Sequence, residues 1–158
     1  MTVIPLVATK WGFTAGDLGK LFSLMTALGM AAAPIGGKLA DRMGSERVTA
    51  CSAATSALVV GLMPFAWDWS TFCVCLALWD VSEAVMNAAN SAYAAVVTAD
   101  AQRGAMNSLG NQVQDAVLAG CPLLLGAITA HASTQAALLL TAALMLVASF
   151  AFARLACT

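Results

Sequence analysis

Charge is what this chain most lacks. Asp, Glu, Lys and Arg make up 9% of its 158 residues, against about 25% in an ordinary soluble domain. With a net charge of −1 there is no basic face, so nucleic acid is not an expected partner. Histidine is almost absent too: His131 stands alone in a short loop, which leaves no Ser/His/Asp set, and no glycine-rich phosphate loop follows a strand. No enzyme is expected. Strict apolar/polar alternation is also missing, and with it the signature of a membrane barrel. No basic segment precedes a short apolar run with a small-residue cleavage site, so no signal peptide opens the chain at Met1. The five cysteines (Cys51, Cys73, Cys75, Cys121 and Cys157) lie in apolar stretches, where a thiol behaves as a small hydrophobe. Cys73-x-Cys75 has no second pair to complete a metal site, so neither a metal, a disulfide nor any cofactor is expected.

What the chain has in excess is hydrophobic residues, at 61% against roughly 45 to 50% in soluble domains. A core of this size cannot hide them from water, so the solvent of this surface is lipid. A helix crossing a hydrocarbon layer of ~30 Å needs about 20 residues, and four breaks divide the apolar text at that spacing. Spans are expected at 15–37, 46–66, 70–98, 102–130 and 133–154, with 1–9 as the remnant of a preceding helix. Backbone groups cannot go unpaired in lipid, so these runs are helices. The fold class is all-α: a polytopic membrane bundle of five full helices, with residues 1–158 forming one transmembrane domain. Helix starts are marked by Thr14-Ala-Gly-Asp17, a capping-box-like opening, and by Ser45-Glu46 and Ser133.

Orientation follows from the basic residues, which stay on the cytoplasmic side. Lys38, Arg42, Arg47, Arg103 and Arg154 fall on one side, Lys10 and Lys20 on the other. The C-terminus is therefore expected in the cytoplasm, and the membrane is expected to be the cell membrane. The opposite links, Trp67-Asp68-Trp69 and His131-Ala-Ser, carry no fixed positive charge, and the tryptophans suit an interfacial belt.

Polar residues are unevenly distributed among the spans, and two helices stand out, the second and fifth spans holding only occasional Ser or Thr. In the third span Asp80, Glu83, Asn87 and Asn90 recur at intervals of 3, 4 and 3, along one helix face. In the fourth Asn107, Asn111 and Asp115 recur every four residues, with Gln114 beside them. Asp80 lies ten positions past Ser70 and Asp115 twelve past Arg103, so each is about 15 to 18 Å deep at 1.5 Å per residue. A carboxylate at mid-helix costs ~2.5 to 3.5 kcal/mol on insertion scales, so these groups face a partner helix or a wet cavity. Asp80, Glu83, Asn87, Asn90, Asn111 and Gln114 are the candidates for a solute or ion path. Hydrogen-bonded glue between helices is the alternative for each of them, and for Asp115 packing or a switching role is the stronger expectation. The glycines at 29, 36, 110 and 120 suit close helix approach.

The first link reads Gly37-Lys-Leu-Ala-Asp41-Arg42-Met-Gly44. Its glycines suit a tight turn and positive φ, and Asp41 and Arg42 offer a charge pair at the membrane surface. Here the chain resembles the major facilitator superfamily of secondary transporters, whose halves each hold six helices with a G-x-x-x-D-R-x-G link between the second and third. The family's following basic pair is reduced to Ser45-Glu46-Arg47. Arg103-Gly104, Asp115, Cys121-Pro122 and Gly126 resemble the pattern of the fifth helix of a half, with Cys121 where glycine is usual. The arginine signature of a proton-coupled N-terminal half is absent; Leu78-Trp-Asp80-Val-Ser-Glu83-Ala84 stands there.

The resemblance implies a C-terminal half, from the end of helix seven through helix twelve. It gives Gly37, Asp41, Arg42, Gly44, Asp115, Pro122 and Gly126 conformational-switch or packing roles. It implies secondary transport by alternating access of a small solute, with an N-terminal half or a second copy as partner beside the lipid bilayer. A cationic or neutral solute is expected because no Lys or Arg lies at mid-span to neutralise an anion, and proton-coupled efflux is compatible with the carboxylates. The rival expectation is a non-transporting scaffold or assembly partner derived from a truncated half.

Overall fold

The computed structural model describes residues 14–131 and 133–156. The expected helix remnant at 1–9 lies outside the described residues. Five helices follow one another: α1 (Ala15–Met43), α2 (Ser45–Leu62), α3 (Trp69–Val97), α4 (Arg103–His131) and α5 (Thr134–Ala156). Short 3-10 turns at Met63–Phe65 and Asp100–Gln102 lead into the second and third links. All five are long and apolar enough to cross a membrane, α2 when counted with its 3-10 extension to Phe65.

Local chemistry fixes the ends. Thr14 caps α1: its hydroxyl oxygen accepts from the Asp17 N–H at 3.3 Å, and the Asp17 carboxylate accepts from the Thr14 N–H at 3.2 Å. That is a reciprocal capping box with Asp in the third position. Asp68 caps α3, accepting the Thr71 N–H at 3.3 Å and the Thr71 hydroxyl. Ser133 caps α5 by accepting the Ala136 N–H at 3.1 Å.

The first link departs from expectation. α1 does not end at Gly37 but runs on to Met43, six residues further, and the expected turn at Gly37 is not there. Lys, Leu, Ala, Arg and Met all sustain a helix, and one interior glycine costs only about 1 kcal/mol. The whole link is reduced to Gly44, at φ +91°, where its N–H still reaches the Ala40 carbonyl at 3.0 Å. Positive φ at this one residue lets α2 begin at once. A side chain there would also meet the Glu46 carboxylate, 2.8 Å from the Cβ position.

Helices α1, α2, α3 and α5 form the packed body. Met25, Val59, Val60, Met63, Phe72, Leu76 and Ala142 make its main core. A second, smaller cluster joins Ala40, Val48 and Ala89 near the first link. Tyr93 and Phe152 meet edge to face at 5.6 Å between α3 and α5. Outside this body large apolar side chains such as Met30, Leu58, Phe65 and Phe150 stay exposed, as expected where the surrounding solvent is lipid. Helix α4 packs mainly against α5, and no described side chain on it is buried.

Candidate functional site

The two mid-span carboxylates of α3 lie in two different seams. Helices α1 and α3 run parallel: Gly29 stands opposite Asp80 and Ala84, and Gly36 opposite Val85 and Ala88. A Cβ on Gly29 would fall 3.0 Å from Asp80 Oδ2, so the Asp80 carboxylate rests over the bare backbone of α1. Glu83, three residues on, turns to α2, where its neighbour is the Ser56 side chain. Residues three apart on a helix are about 60° apart in direction, enough to reach different partners when two helices flank the same face.

Ser56 is fully buried, and its hydroxyl has the Glu83 carboxylate beside it without meeting full hydrogen-bond geometry; Thr49, one heptad earlier on α2, is buried and its hydroxyl closes no hydrogen bond. This is unusual in the chain. Ser23, Thr26, Thr55, Ser91 and Thr141 each return their hydroxyl to the carbonyl four residues back, the ordinary way for a membrane helix to satisfy them. The Trp79 indole N–H, one turn before Glu83, is likewise buried and unpaired. An unpaired buried polar group costs about 1 to 3 kcal/mol, so Ser56 and Trp79, both close to the half-buried Glu83 in sequence or space, mark this part of α2 and α3 as polar ground. Ser56 and Trp79 are not legible as site residues from sequence. The only signal was the seven-residue spacing of Thr49 and Ser56.

The remaining candidates are dispersed. Asn87 and Asn90 are exposed on the later half of α3. Asn111 and Asp115 are exposed on α4, and a Cβ at Gly126 would meet open space. The side chains of Gln114 and Pro122 lie outside the described residues. The structure brings Asp80 and Glu83 together with α1 and α2, and leaves the polar face of α4 apart from them. Asp41 and Arg42 are exposed on the last turn of α1, and among the described residues no ion pair joins them. Among the described residues no three His, Cys, Asp or Glu side chains converge as a metal site.

Residues 1–156 match the family model of the Major Facilitator Superfamily. No curated protein and no solved structure matches the chain. The match covers nearly the whole sequence and agrees with a bundle of membrane-length helices carrying carboxylates at mid-span. The chain therefore belongs to the Major Facilitator Superfamily, a family of transporters rather than enzymes, and is an integral, multi-pass membrane protein of transmembrane transport.

Proposed function

We propose that residues 1–158 are the C-terminal half-domain of a secondary carrier that moves a small cationic or neutral solute by alternating access. The observation that carries this reading is the placement of Asp80 and Glu83 at mid-span on α3, with no Lys or Arg at that depth in any span. A positive or hydrogen-bonding solute is compatible with two carboxylates; an anion meets nothing to balance it. Asn87, Asn90, Asn111 and Gln114 extend the path along α3 and α4. Asp41, Arg42, Gly44 and Asp115 act in the switch between states. The partner is an N-terminal half or a second copy, since alternating access needs two walls. The carrier sits in the cell membrane with its C-terminus in the cytoplasm, and a proton serves as coupling ion for efflux.

The test is efflux of a panel of cationic, neutral and anionic dyes from cells expressing the full-length carrier. Cationic or neutral dyes should leave faster than from control cells. Exchanging Asp80→Asn together with Glu83→Gln should abolish that gain at equal surface abundance. Movement of anions alone, or unchanged kinetics in the double variant, would overturn the proposal.

A further inference from the structure

Two glycines of α1 meet α3, and they meet different kinds of atom. At Gly36 the obstacle to a side chain is backbone: a Cβ would fall 2.8 Å from the Val85 Cα and 3.0 Å from its carbonyl oxygen. At Gly29 the three nearest atoms all belong to side chains. They are Asp80 Oδ2 at 3.0 Å, then Asp80 Cγ and Ala84 Cβ, each at 3.8 Å. Gly36 therefore sets how closely the helices approach, because backbone cannot move aside without moving the helix. Gly29 has no such task, since a carboxylate on a flexible stem can swing away.

We propose that Gly29 is a positioning residue for Asp80. It leaves a notch in α1 into which the carboxylate folds, and so sets where that charge stands relative to the solute path. The inference rests on the reading of Asp80 as a path residue. In the notch the carboxylate oxygen lies 3.0 Å from where a residue-29 Cβ would stand, beside glycine C–H groups that are weak donors. A methyl group at position 29 fills that space and pushes the carboxylate out by a few tenths of an ångström or into another rotamer. Glu83 has its own partner, Ser56 on α2, and meets Asp80 only through charge. The two acids of the pair thus separate: α1 controls one, α2 the other.

Dicyclohexylcarbodiimide labels carboxyl groups in apolar surroundings, and peptide mass spectrometry reads Asp80 and Glu83 separately in membranes carrying the full-length protein. Gly29→Ala should raise labelling of Asp80 several-fold and change that of Glu83 far less, since Glu83 feels Asp80 only through charge. Asp80→Glu, one methylene too long for the notch, should label at position 80 as readily without any change in α1. It keeps the test open should Gly29→Ala fail to assemble. Equal labelling of position 80 in the wild type and both variants overturns the positioning role.

Binding of tetraphenylphosphonium to the same membranes tests the reading beneath it. Displacing the carboxylate should weaken binding about tenfold in Gly29→Ala. In the Asp80→Asn background the same change should cause no further loss, because the two act as one unit. Labelling that shifts while tetraphenylphosphonium binding holds keeps the notch and overturns the path reading instead.

Discussion

The Ser149 hydroxyl of α5 donates to the Ala50 carbonyl of α2 over 2.9 Å, at a buried point where the two helices cross. Unlike most hydroxyls of this chain it reaches across to a neighbour instead of back along its own helix. Ala50 O keeps its intrahelical donor, so deleting the bond orphans no group. Ser149→Ala should therefore lower stability by about 0.5 to 1.5 kcal/mol, within the range measured for interhelical bonds in membranes. Denaturant unfolding in mixed micelles checks this. An unchanged midpoint would mean that packing, such as that of Ala142 in the core and of Phe152 on Tyr93, holds α5 on the body without the bond.

Adjacent glycines in α1 should respond in opposite directions. Gly36→Ala drives a methyl into the Val85 backbone and should cost about 1 to 3 kcal/mol, as overpacking does. Gly37→Ala meets open space inside a continuous helix, and should gain up to about 1 kcal/mol from helix propensity. Thermal melting of the two variants in one detergent decides. A destabilised Gly37→Ala would restore the turn that the sequence suggested at Gly37.

The Asp68 carboxyl gives a pH dependence with a defined sign. The Thr71 hydroxyl bond, more than any other contact, holds it below the ordinary aspartate value of 3.8. A carboxyl depressed in the folded state contributes stability that is complete above the unfolded value and is lost as pH falls through the folded one. Asp68→Asn still caps α3 but does not titrate. The melting temperature of the wild type relative to this variant should be constant from neutral pH down to about pH 5 and decline below about pH 4. A difference that stays flat to pH 2 would show that the Thr71 bond does not favour the ionised form.

The five spans were legible because a bilayer imposes one length on every helix that crosses it, and capping residues such as Thr14 and Ser133 stand where the apolar text resumes. The end of α1 was not, because Gly37 reads equally as a turn or as a tolerated helical glycine until its neighbours are placed. Asp80 and Glu83 were legible as functional candidates, since carboxylates are rare in lipid-facing text. Their separation was not. An interval of three residues says they share a face, but whether α1 and α2 both border that face is decided by Gly36 against Val85 and by Val59 and Val60 in the core. Ser56 looked like Thr55, its neighbour in sequence, although only Thr55 satisfies its hydroxyl within the helix.

Topology offers the last prediction, and it bears on function because it decides which mouth of the path faces the cell interior. Among the described residues Lys38, Arg42, Arg47, Arg103 and Arg154 fall on the side of the Gly44 link and Lys20 on the side of Trp67, an asymmetry from which the Gly44 side is expected in the cytoplasm. Asp41 and Trp67 are both exposed, one near each end of α2. With the native cysteines replaced, Trp67→Cys should react with a membrane-impermeant maleimide on intact cells, and Asp41→Cys only after permeabilisation. Reaction in the reverse order would invert the carrier. The Asp68 cap and the tryptophans beside it would then face the cytoplasm, and Arg42, Arg47 and Arg154 would stand at the outer surface against the usual rule. Asp80 sits about 18 Å along α3 from Asp68, at 1.5 Å per residue, so in the expected orientation, and on the proposed reading of Asp80 as a path residue, Asp80 stands on the cytoplasmic side of the tryptophan belt.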